Sequence, residues 1–244
     1  MSDLHLLFGD LTLNVSCDSI LGDNCDYKYS VFYQKDLASE LSALCDNYGS
    51  DKGEILSSGH PYPWPSHNYA DFYEGIFGHC RHYMKNIFEC GLGTTNLNVP
   101  SSMGTHGKPG ASLRIWREYF PNAQIYGADI DKDILFQEER ISTFYVDQTS
   151  PDSIDMLWKT INSNEIDLII DDGLHTFEAG VCLFEHSFSK VRQSGIYIIE
   201  DVAVNSMVSF RSYFKSKSYK VEFVNLYRPN KPLGDNSLIV IRKG

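Results

Sequence analysis

The sequence is poor in several features that would define a function by themselves. Its six cysteines form no CxxC pair, which disfavours a zinc site or a disulfide framework and favours reduced thiols in a cytoplasmic protein. No apolar run is long enough to span a membrane, and the first residues lack the basic stretch of a signal peptide. Basic residues are scarce, since 21 Lys and Arg against 32 Asp and Glu give a formal net charge of −11. This charge disfavours nucleic acids and anionic membranes as partners.

The length and composition predict one domain with a small appendage. The chain has 244 residues and is 42% hydrophobic, which is enough for an ample core. The stretch from Pro61 to Pro65 contains three prolines and must be irregular. We place a boundary there, between an N-terminal appendage (1–65) for substrate or oligomer contacts and a catalytic domain (66–244). The appendage is too small to fold alone, so we expect a homo-oligomer.

Strand and helix patterns alternate through most of the chain. Residues 1 to about 35 favour short strands, and the last two strands, Tyr219 to Leu226 and Ser237 to Arg242, favour an antiparallel hairpin. The whole pattern predicts an α/β fold of Rossmann-like type. We expect a seven-stranded, mostly parallel sheet covered by helices on both faces. Other expected helices run from Leu37 to Tyr48, from His67 to Lys85 and from Lys132 to about Glu139.

Two predicted strands end in acids. The buried strand that begins at Ile166 runs into Asp171 and Asp172, with His175 close behind, and the next strand ends in Glu200 and Asp201. Parallel strands hold ligands at their carboxyl ends, so these side chains form a candidate site for a divalent cation and a base. Two alternatives stay open, because Asp172 is also a good helix cap and His175 suits an exposed first turn.

The first strand of the alternating series runs into a glycine turn. Gly91 and Gly93 allow positive φ angles and let backbone N–H groups approach a ligand closely. Asp129 ends the second strand, where nucleotide-binding α/β folds place an acid against ribose hydroxyls. The polar loop from Asn96 to Gly110 separates the two, and its length indicates either a functional or a mobile segment.

These motifs together resemble the metal-dependent macrolide-sugar O-methyltransferases of mycinamicin and macrocin type, within the class I S-adenosylmethionine-dependent methyltransferases. Related bacterial enzymes methylate other sugars. The resemblance runs from about residue 45 to 202. The segments that carry it are Gly49-Ser50-Asp51-Lys52-Gly53, His67-x-Tyr69-x-x-x-Tyr73, Glu89-x-Gly91-x-Gly93, Ser112-Leu113-x-x-Trp116, Ile125-x-Gly127-x-Asp129, Asp171-Asp172-Gly173-x-His175 and Ile198-Ile199-Glu200-Asp201. Thr95 stands where many methyltransferases have a third glycine.

The resemblance implies that the chain transfers a methyl group from S-adenosylmethionine to a hydroxyl of a sugar-containing small molecule. His175 is then the general base. The implied ligands of Mg²⁺ (or Mn²⁺) are Asp172, Glu200 and Asp201. The sugar is nucleotide-linked or part of a glycan or natural product. Carboxylate oxygens suit such an ion, which would lower the pKa of the acceptor hydroxyl.

The resemblance also implies cofactor contacts. Asp147 and Gln148 are placed on the adenine and Asp129 on the ribose. Glu89 either holds a backbone turn or binds the methionine part. Lys52, Tyr69 and Tyr73 close over the cofactor carboxylate or the substrate. Asp171 is also expected to bind the cofactor.

Three other functions are compatible with parts of this pattern. An NAD(P)-dependent oxidoreductase shares the glycine turn and the ribose acid, but it does not need the acids at the ends of the two later strands. A metal-dependent hydrolase would use the same acids and histidine to activate water. A non-catalytic binding module would need no base at all.

Overall fold

The computed structural model describes residues 39–57, 59–226 and 233–244, together with the backbone of three strands nearer the amino terminus. The predicted start of the first helix, at Leu37, and most of the turn between the last two strands, 227–232, lie outside the described residues. The strands are β1 (Asp3–Phe8), β2 (Leu11–Ser16), β3 (Lys28–Tyr33), β4 (Asn86–Cys90), β5 (Gln124–Asp129), β6 (Gln137–Glu138), β7 (Ile141–Tyr145), β8 (Ile166–Asp171), β9 (Val191–Ile199), β10 (Lys220–Leu226) and β11 (Ser237–Arg242).

The helices alternate with the central strands, as the sequence predicted. Three short 3₁₀ helices (Arg81–Tyr83, Lys132–Ile134 and Phe188–Lys190) add to them. The α-helices in the described part of the chain are α1 (Glu40–Tyr48), α2 (Tyr69–Phe77), α3 (Ala111–Tyr119), α4 (Pro151–Ile161), α5 (Phe177–Ser187) and α6 (Val204–Lys215). None of them combines the length and the apolar character needed to cross a bilayer.

The described strands form one sheet in the order β2-β1-β3-β10-β11-β9-β8-β4-β5-β7-β6. The β10–β11 hairpin is antiparallel, and β11 also runs antiparallel to β9, whereas β9, β8, β4, β5 and β7 are parallel to one another. The seven predicted strands and the terminal hairpin are therefore confirmed. The sheet is wider than predicted, because β1 to β3 extend it beyond β10 and β6 extends it beyond β7.

Two apolar layers cover the sheet. On one face, Leu41, Tyr73 and Trp116 from the first three helices pack on strand residues such as Ile87. On the other face, Trp158, Phe184 and Phe210 from the last three helices pack on residues such as Phe88. Ile87 and Phe88 are neighbours in β4 and face opposite layers, as the pleat of a strand requires. Burial on both faces explains why the central strands are almost continuously apolar.

The direction of the chain changes at β4 and so creates a crevice. The chain runs from β4 outward through β5 to β7 and then crosses to β8, on the other side of β4. The loop after β4 therefore leads to a helix on one face of the sheet, and the loop after β8 leads to a helix on the other face. Open α/β sheets bind ligands at such a switch point, outside the carboxyl ends of the strands.

Two predicted helices differ from those in the structure. The helix predicted from His67 to Lys85 is α2 alone, which ends at Phe77 before Gly78 and is followed by the 3₁₀ turn at Arg81–Tyr83. The helix predicted from Lys132 to Glu139 was wrong, because only a 3₁₀ turn forms there and the chain then pairs with β7 as β6. Hydrogen bonds from Phe136 N–H to Thr143 Oγ1 and from Thr143 Oγ1 to Phe136 O hold this segment against the sheet.

Candidate active site

The loop between β8 and α5 carries Asp172 and His175. All six residues of β8 are buried, and Asp171 is the last of them. Thr176 then caps α5, because its side chain accepts a hydrogen bond from Ala179 N–H. His175 precedes this cap with a φ of 59°, in the left-handed region that few non-glycine residues adopt. The cap and the end of the strand thus hold the imidazole on a short, constrained loop.

Asp201 meets His175 from the neighbouring strand. It lies just beyond the end of β9 and has a φ of 51°, also left-handed. His175 Nε2 lies 3.3 Å from Asp172 Oδ1 and 3.6 Å from Asp201 Oδ2. One ligand atom from each of these three residues falls within 4.8 Å of the others. This cluster of two carboxylates and an imidazole has the size and the donor atoms of a site for a divalent cation.

Charge at the cluster shifts the pKa values of Asp172 and His175. Burial raises the pKa of Asp172, but Lys52 and His175 outweigh this effect and lower the pKa to about 2. Burial lowers the pKa of His175, but Asp201 and Asp172 outweigh it and raise this pKa to about 10. In the absence of a cation, the imidazole is therefore protonated and the two carboxylates are its counter-ions.

Glu200 does not belong to this cluster, although it adjoins Asp201 in the sequence. Its side chain is fully buried. Tyr73 Oη donates a hydrogen bond to Glu200 Oε1, and Lys52 Nζ donates one to Glu200 Oε2. The predicted role of Glu200 as a metal ligand stays a prediction, since both of its oxygens are bound to protein donors in this structure.

Lys52 and Tyr69 contact the acids rather than the crevice. Lys52 Nζ lies 2.6 Å from Asp172 Oδ2 and 3.3 Å from Glu89 Oε1. Tyr69 Oη donates to Asp201 Oδ1 over 2.7 Å and accepts a hydrogen bond from Asp201 N–H. Their predicted contacts with the cofactor carboxylate or substrate stay predictions.

His67 also touches the site, which the sequence did not predict. Its Nε2 lies 3.5 Å from Asp201 Oδ1, its ring stacks on that of Tyr69, and its Nδ1 lies 3.2 Å from Asn236 Oδ1. The spacing of His67 and Tyr69 was part of the family resemblance, but nothing in it indicated which strand they would meet.

A cleft with an empty volume of about 1050 Å³ leads from the glycine turn to this cluster. We call it the central cleft. The predicted site residues that line it are Gly91, Gly93, Asp129, Asp147, Gln148, Asp172, His175 and Asp201. The predicted residues that do not line it are Lys52, Tyr69, Glu89, Asp171 and Glu200.

Gly91 lets the loops after β4 and β8 approach each other. Its φ is 95°, and a Cβ atom at this position would lie 1.9 Å from the carbonyl oxygen of Asp172. Only glycine fits this position, on grounds of both conformation and space. The backbone of the glycine turn therefore packs directly against the backbone of Asp172, which belongs to the candidate metal site.

Asp129 holds the glycine turn from β5. Its Oδ2 accepts a hydrogen bond from Leu92 N–H (2.7 Å), and its Oδ1 accepts one from Asp131 N–H (2.8 Å). Each carboxylate oxygen has a second lone pair, so the side chain can still accept from a ligand hydroxyl in the cleft. Asp131 caps the 3₁₀ turn, because its side chain accepts a hydrogen bond from Asp133 N–H.

Gln148 links the end of β7 to the loop after β8. Its Nε2 donates to Asp171 Oδ1 (2.5 Å), and its Oε1 accepts from Leu174 N–H (2.9 Å). Burial raises the pKa of Asp171 to about 7, and its Oδ2 has no hydrogen-bond partner among the described residues. Asp171 therefore supports the wall of the cleft, and its predicted cofactor contact stays a prediction.

The loop between β4 and α3 forms one wall of the cleft. Val99, Pro100, Ser101 and Met103 line it, and Ser101 Oγ donates to the carbonyl oxygen of Leu174 over 3.2 Å. The sequence indicated a functional or mobile loop but not these residues. The sequence did not single these residues out, because residues in a loop show no periodicity that would predict which of them face a cleft.

Glu89 lies behind the cleft rather than on it. It is fully buried in β4, and its Oε2 accepts a hydrogen bond from Trp116 Nε1 over 2.7 Å. Burial raises the pKa of this carboxyl. Its contacts with Trp116, Ser112 and Lys52 are with the protein interior.

Curated proteins of similar sequence are sugar O-methyltransferases by name. The chain is 30% identical over 174 residues to the 8-demethyl-8-alpha-L-rhamnosyl tetracenomycin-C 2'-O-methyltransferase of Streptomyces olivaceus, a match that covers 71% of this chain and 40% of that protein. It is 30% identical over 175 residues to the demethylmacrocin O-methyltransferase of Streptomyces fradiae, covering 71% and 42%. The chain thus spans less than half the length of these relatives. No protein-family model matches it.

Solved structures of similar fold include the MycE methyltransferase of the mycinamycin biosynthetic pathway. Its complex with Mg and SAH has a TM-score of 0.59 and 22% identity, covering 84% of this chain and 55% of MycE. Its complex with Mg, SAH and mycinamycin VI has a TM-score of 0.58 and the same identity and coverage. At this identity the likeness shows the fold.

The fold is that of the class I S-adenosylmethionine-dependent methyltransferases. Within this class, the chain is similar to O-methyltransferases of the macrolide-sugar type, so the resemblance predicted from the sequence is confirmed.

Proposed function

We propose that this chain transfers a methyl group from S-adenosylmethionine to a hydroxyl of a sugar-containing small molecule, with the help of a divalent metal ion. The observation that carries the proposal is the cluster of Asp172, His175 and Asp201 at one end of the central cleft. The relatives support it, because they are named as methyltransferases of rhamnosyl tetracenomycin and demethylmacrocin. An oxidoreductase would have no use for this cluster.

The cofactor lies in the central cleft under this proposal. Gly91 and Gly93 bring backbone N–H groups close to it, and the Asp129 carboxylate accepts hydrogen bonds from its ribose. Asp147 and Gln148 follow β7 and also line the cleft, and they would contact the adenine. The methyl group then faces the end of the cleft that contains His175.

The residues present fit a metal ion such as Mg²⁺ or Mn²⁺. Asp172 and Asp201 supply hard oxygen ligands on the cleft, and no cysteine belongs to the cluster of ligand atoms found among the described residues. Glu200 would join them only by leaving the donors that it binds in this structure. When bound, such an ion would lower the pKa of an acceptor hydroxyl and would offset the carboxylate charge that raises the pKa of His175.

His175 is the base in this proposal. Its Nε2 faces the space between Asp172 and Asp201, so it lies within reach of a hydroxyl held there. The imidazole accepts the proton of that hydroxyl as the oxygen attacks the methyl carbon. The C–O bond forms, the bond from that carbon to the sulfonium sulfur breaks, and S-adenosylhomocysteine leaves as a neutral thioether. The protein supplies alignment, since the sulfonium already activates the methyl group.

The sequence-based predictions about the cellular setting remain part of the proposal. We propose a cytoplasmic enzyme that forms a homo-oligomer and binds neither nucleic acid nor membranes. The negative net charge supports the absence of nucleic-acid partners. The free thiols of Cys45, Cys80, Cys90 and Cys182 agree with a reducing compartment.

Mass spectrometry tests the reaction. We expect that incubation with S-adenosylmethionine, Mg²⁺ and a panel of rhamnosyl glycosides and nucleotide-linked deoxy sugars adds one methylene unit to at least one acceptor. A parallel screen compares thermal stabilisation by S-adenosylhomocysteine and by NAD(H). Stabilisation by NAD(H) alone would contradict the proposal in favour of an oxidoreductase, and hydrolysis of an acceptor without methylation would favour a hydrolase.

A further inference from the structure

Lys52 is a buried lysine that the proposed reaction does not use. Its side chain is only 6% exposed. An ammonium at this depth is unfavourable unless carboxylates surround it. Lys52 Nζ contacts Asp172 Oδ2, Glu200 Oε2 and Glu89 Oε1, which lie at or beyond the ends of β8, β9 and β4. One side chain thus joins three neighbouring strands at the edge of the sheet that bears the proposed site.

The backbone around Lys52 is fixed on both sides. The carbonyl oxygen of Lys52 accepts a hydrogen bond from Ala70 N–H (2.9 Å), in the first turn of α2. Gly53 packs so closely on α1 that a Cβ atom there would lie 2.9 Å from the Cβ atom of Cys45. The loop is therefore held between two helices, and this packing positions the Lys52 ammonium next to the carboxylates.

The ammonium of Lys52 contacts carboxylates of the protein itself. A lysine ammonium has three N–H donors. Three carboxylates lie within reach of Lys52 Nζ, at 2.6 Å for Asp172, 3.3 Å for Glu89 and closer still for Glu200. Asp172 and Glu200 accept hydrogen bonds from the ammonium, and Glu89 Oε1 lies near enough for an ion pair.

The contact with Asp172 fixes the direction of that carboxylate. Its Oδ2 is bound to Lys52, whereas its Oδ1 faces His175 over 3.3 Å. We infer that Lys52 is a positioning residue of the metal site, which anchors one oxygen of Asp172 so that the other faces the cation, and which links the loop after α1 to that site. This inference deepens the proposed function and rests on it.

Binding measurements on a Lys52→Met variant test the inference. Methionine keeps the length of the side chain and removes the donors. Because residues that orient metal ligands typically contribute 10- to 100-fold to affinity, we expect the Mn²⁺ dissociation constant, measured by electron paramagnetic resonance, to rise by about that factor. The dissociation constant of S-adenosylhomocysteine, measured by calorimetry, should stay unchanged, because Lys52 does not line the central cleft. Lys52→Arg should recover part of the Mn²⁺ affinity.

Two further variants separate this role from a loss of net charge or of folding. Lys159→Met removes an exposed lysine far from the cleft and should change neither constant. If Lys52→Met fails to fold, Lys52→Met with Glu89→Gln restores the charge balance of the buried cluster. That double variant should still bind Mn²⁺ more weakly than Glu89→Gln alone.

Other results would overturn the inference. Weaker S-adenosylhomocysteine binding with unchanged Mn²⁺ affinity would make Lys52 a cofactor residue. Tighter Mn²⁺ binding would mean that the ammonium competes with the ion for the acids. Wild-type protein that binds no Mn²⁺ would refute the metal site of the proposed function itself, whereas intact wild-type binding with an unaffected variant would refute the role of Lys52 alone.

Discussion

At the scale of single residues, the site depends on two strained positions. His175 and Asp201 both have left-handed backbone conformations, with φ angles of 59° and 51°. Such conformations cost about 1 to 2 kcal/mol for a residue with a Cβ atom, and they persist where the surrounding structure holds them. Here the two constrained side chains face each other across the ends of β8 and β9. Strain at both partners agrees with a site that is shaped for binding rather than for stability.

Replacing His175 with Ala tests its role as base. We expect kcat for methyl transfer to fall by about 10²- to 10⁴-fold, the usual contribution of a general base. The affinity for S-adenosylhomocysteine should be retained, because His175 lies at the end of the cleft away from Asp129. Single-turnover kinetics and calorimetry measure the two quantities. Unchanged turnover would assign the base elsewhere or indicate a binding module.

Asp129 is the residue on which cofactor affinity should depend most. In Asp129→Asn, one of the two backbone N–H groups that the carboxylate binds would face an amide NH₂ group and lose its acceptor. The variant also removes the charge that a ribose hydroxyl would bind. A hydrogen bond to a charged group contributes about 1.5 to 3 kcal/mol, so S-adenosylhomocysteine should bind roughly 10- to 100-fold more weakly. The exposed Asp133→Asn is the matched control and should bind normally. Equal affinity in both variants would refute the ribose contact.

The sequence was sufficient to predict the site residues that lie at or just after the carboxyl end of a strand. Asp172, His175 and Asp201 come together because the carboxyl ends of neighbouring parallel strands meet at one edge of the sheet. The contacts of Lys52, Tyr69 and His67 could not be predicted in this way. They depend on how a loop and a helix from another part of the chain pack over that edge, and no local pattern encodes that packing.

At the scale of elements, the turn after β4 and the loop after β8 form one unit. Gly91→Ala should destabilise the protein by about 3 kcal/mol or more and abolish cofactor binding, because the new Cβ would meet the backbone of Asp172. Gly93→Ala meets only the Met103 side chain at 3.3 Å, so about 1 to 2 kcal/mol for its positive φ is expected. Thermal unfolding compares the two variants. Equal stabilities would contradict the close approach.

Strands were easier to predict than the short helices, for a physical reason. Central strands are buried on both faces and appear as apolar runs, such as Leu168 to Ile170. The segment after Lys132 has too few residues to show a helical period. Its conformation depends on hydrogen bonds between Phe136 and Thr143 in β7. Strand β9 starts at Val191, before the apolar run that begins at Ile196, because its pairing with β8 extends to Val191.

At the scale of the whole molecule, the segment before residue 65 contributes to the site. Asp51 lines the central cleft, and Lys52 contacts acids at three strand ends. The division into 1–65 and 66–244 stays a prediction, and these contacts cross it. We therefore propose that truncation at residue 65 removes part of the catalytic machinery rather than a separable appendage.

Metal dependence is the central claim, and the methyl-transfer rate of metal-stripped protein measures it most directly. The protein is treated with excess EDTA, passed into metal-free buffer and assayed with S-adenosylmethionine and an accepted sugar while Mg²⁺ is titrated back. We predict a rate near background without the ion and saturable recovery with it, and no recovery in Asp201→Asn. A rate that EDTA leaves unchanged would contradict the account and reduce the acid cluster to a structural role.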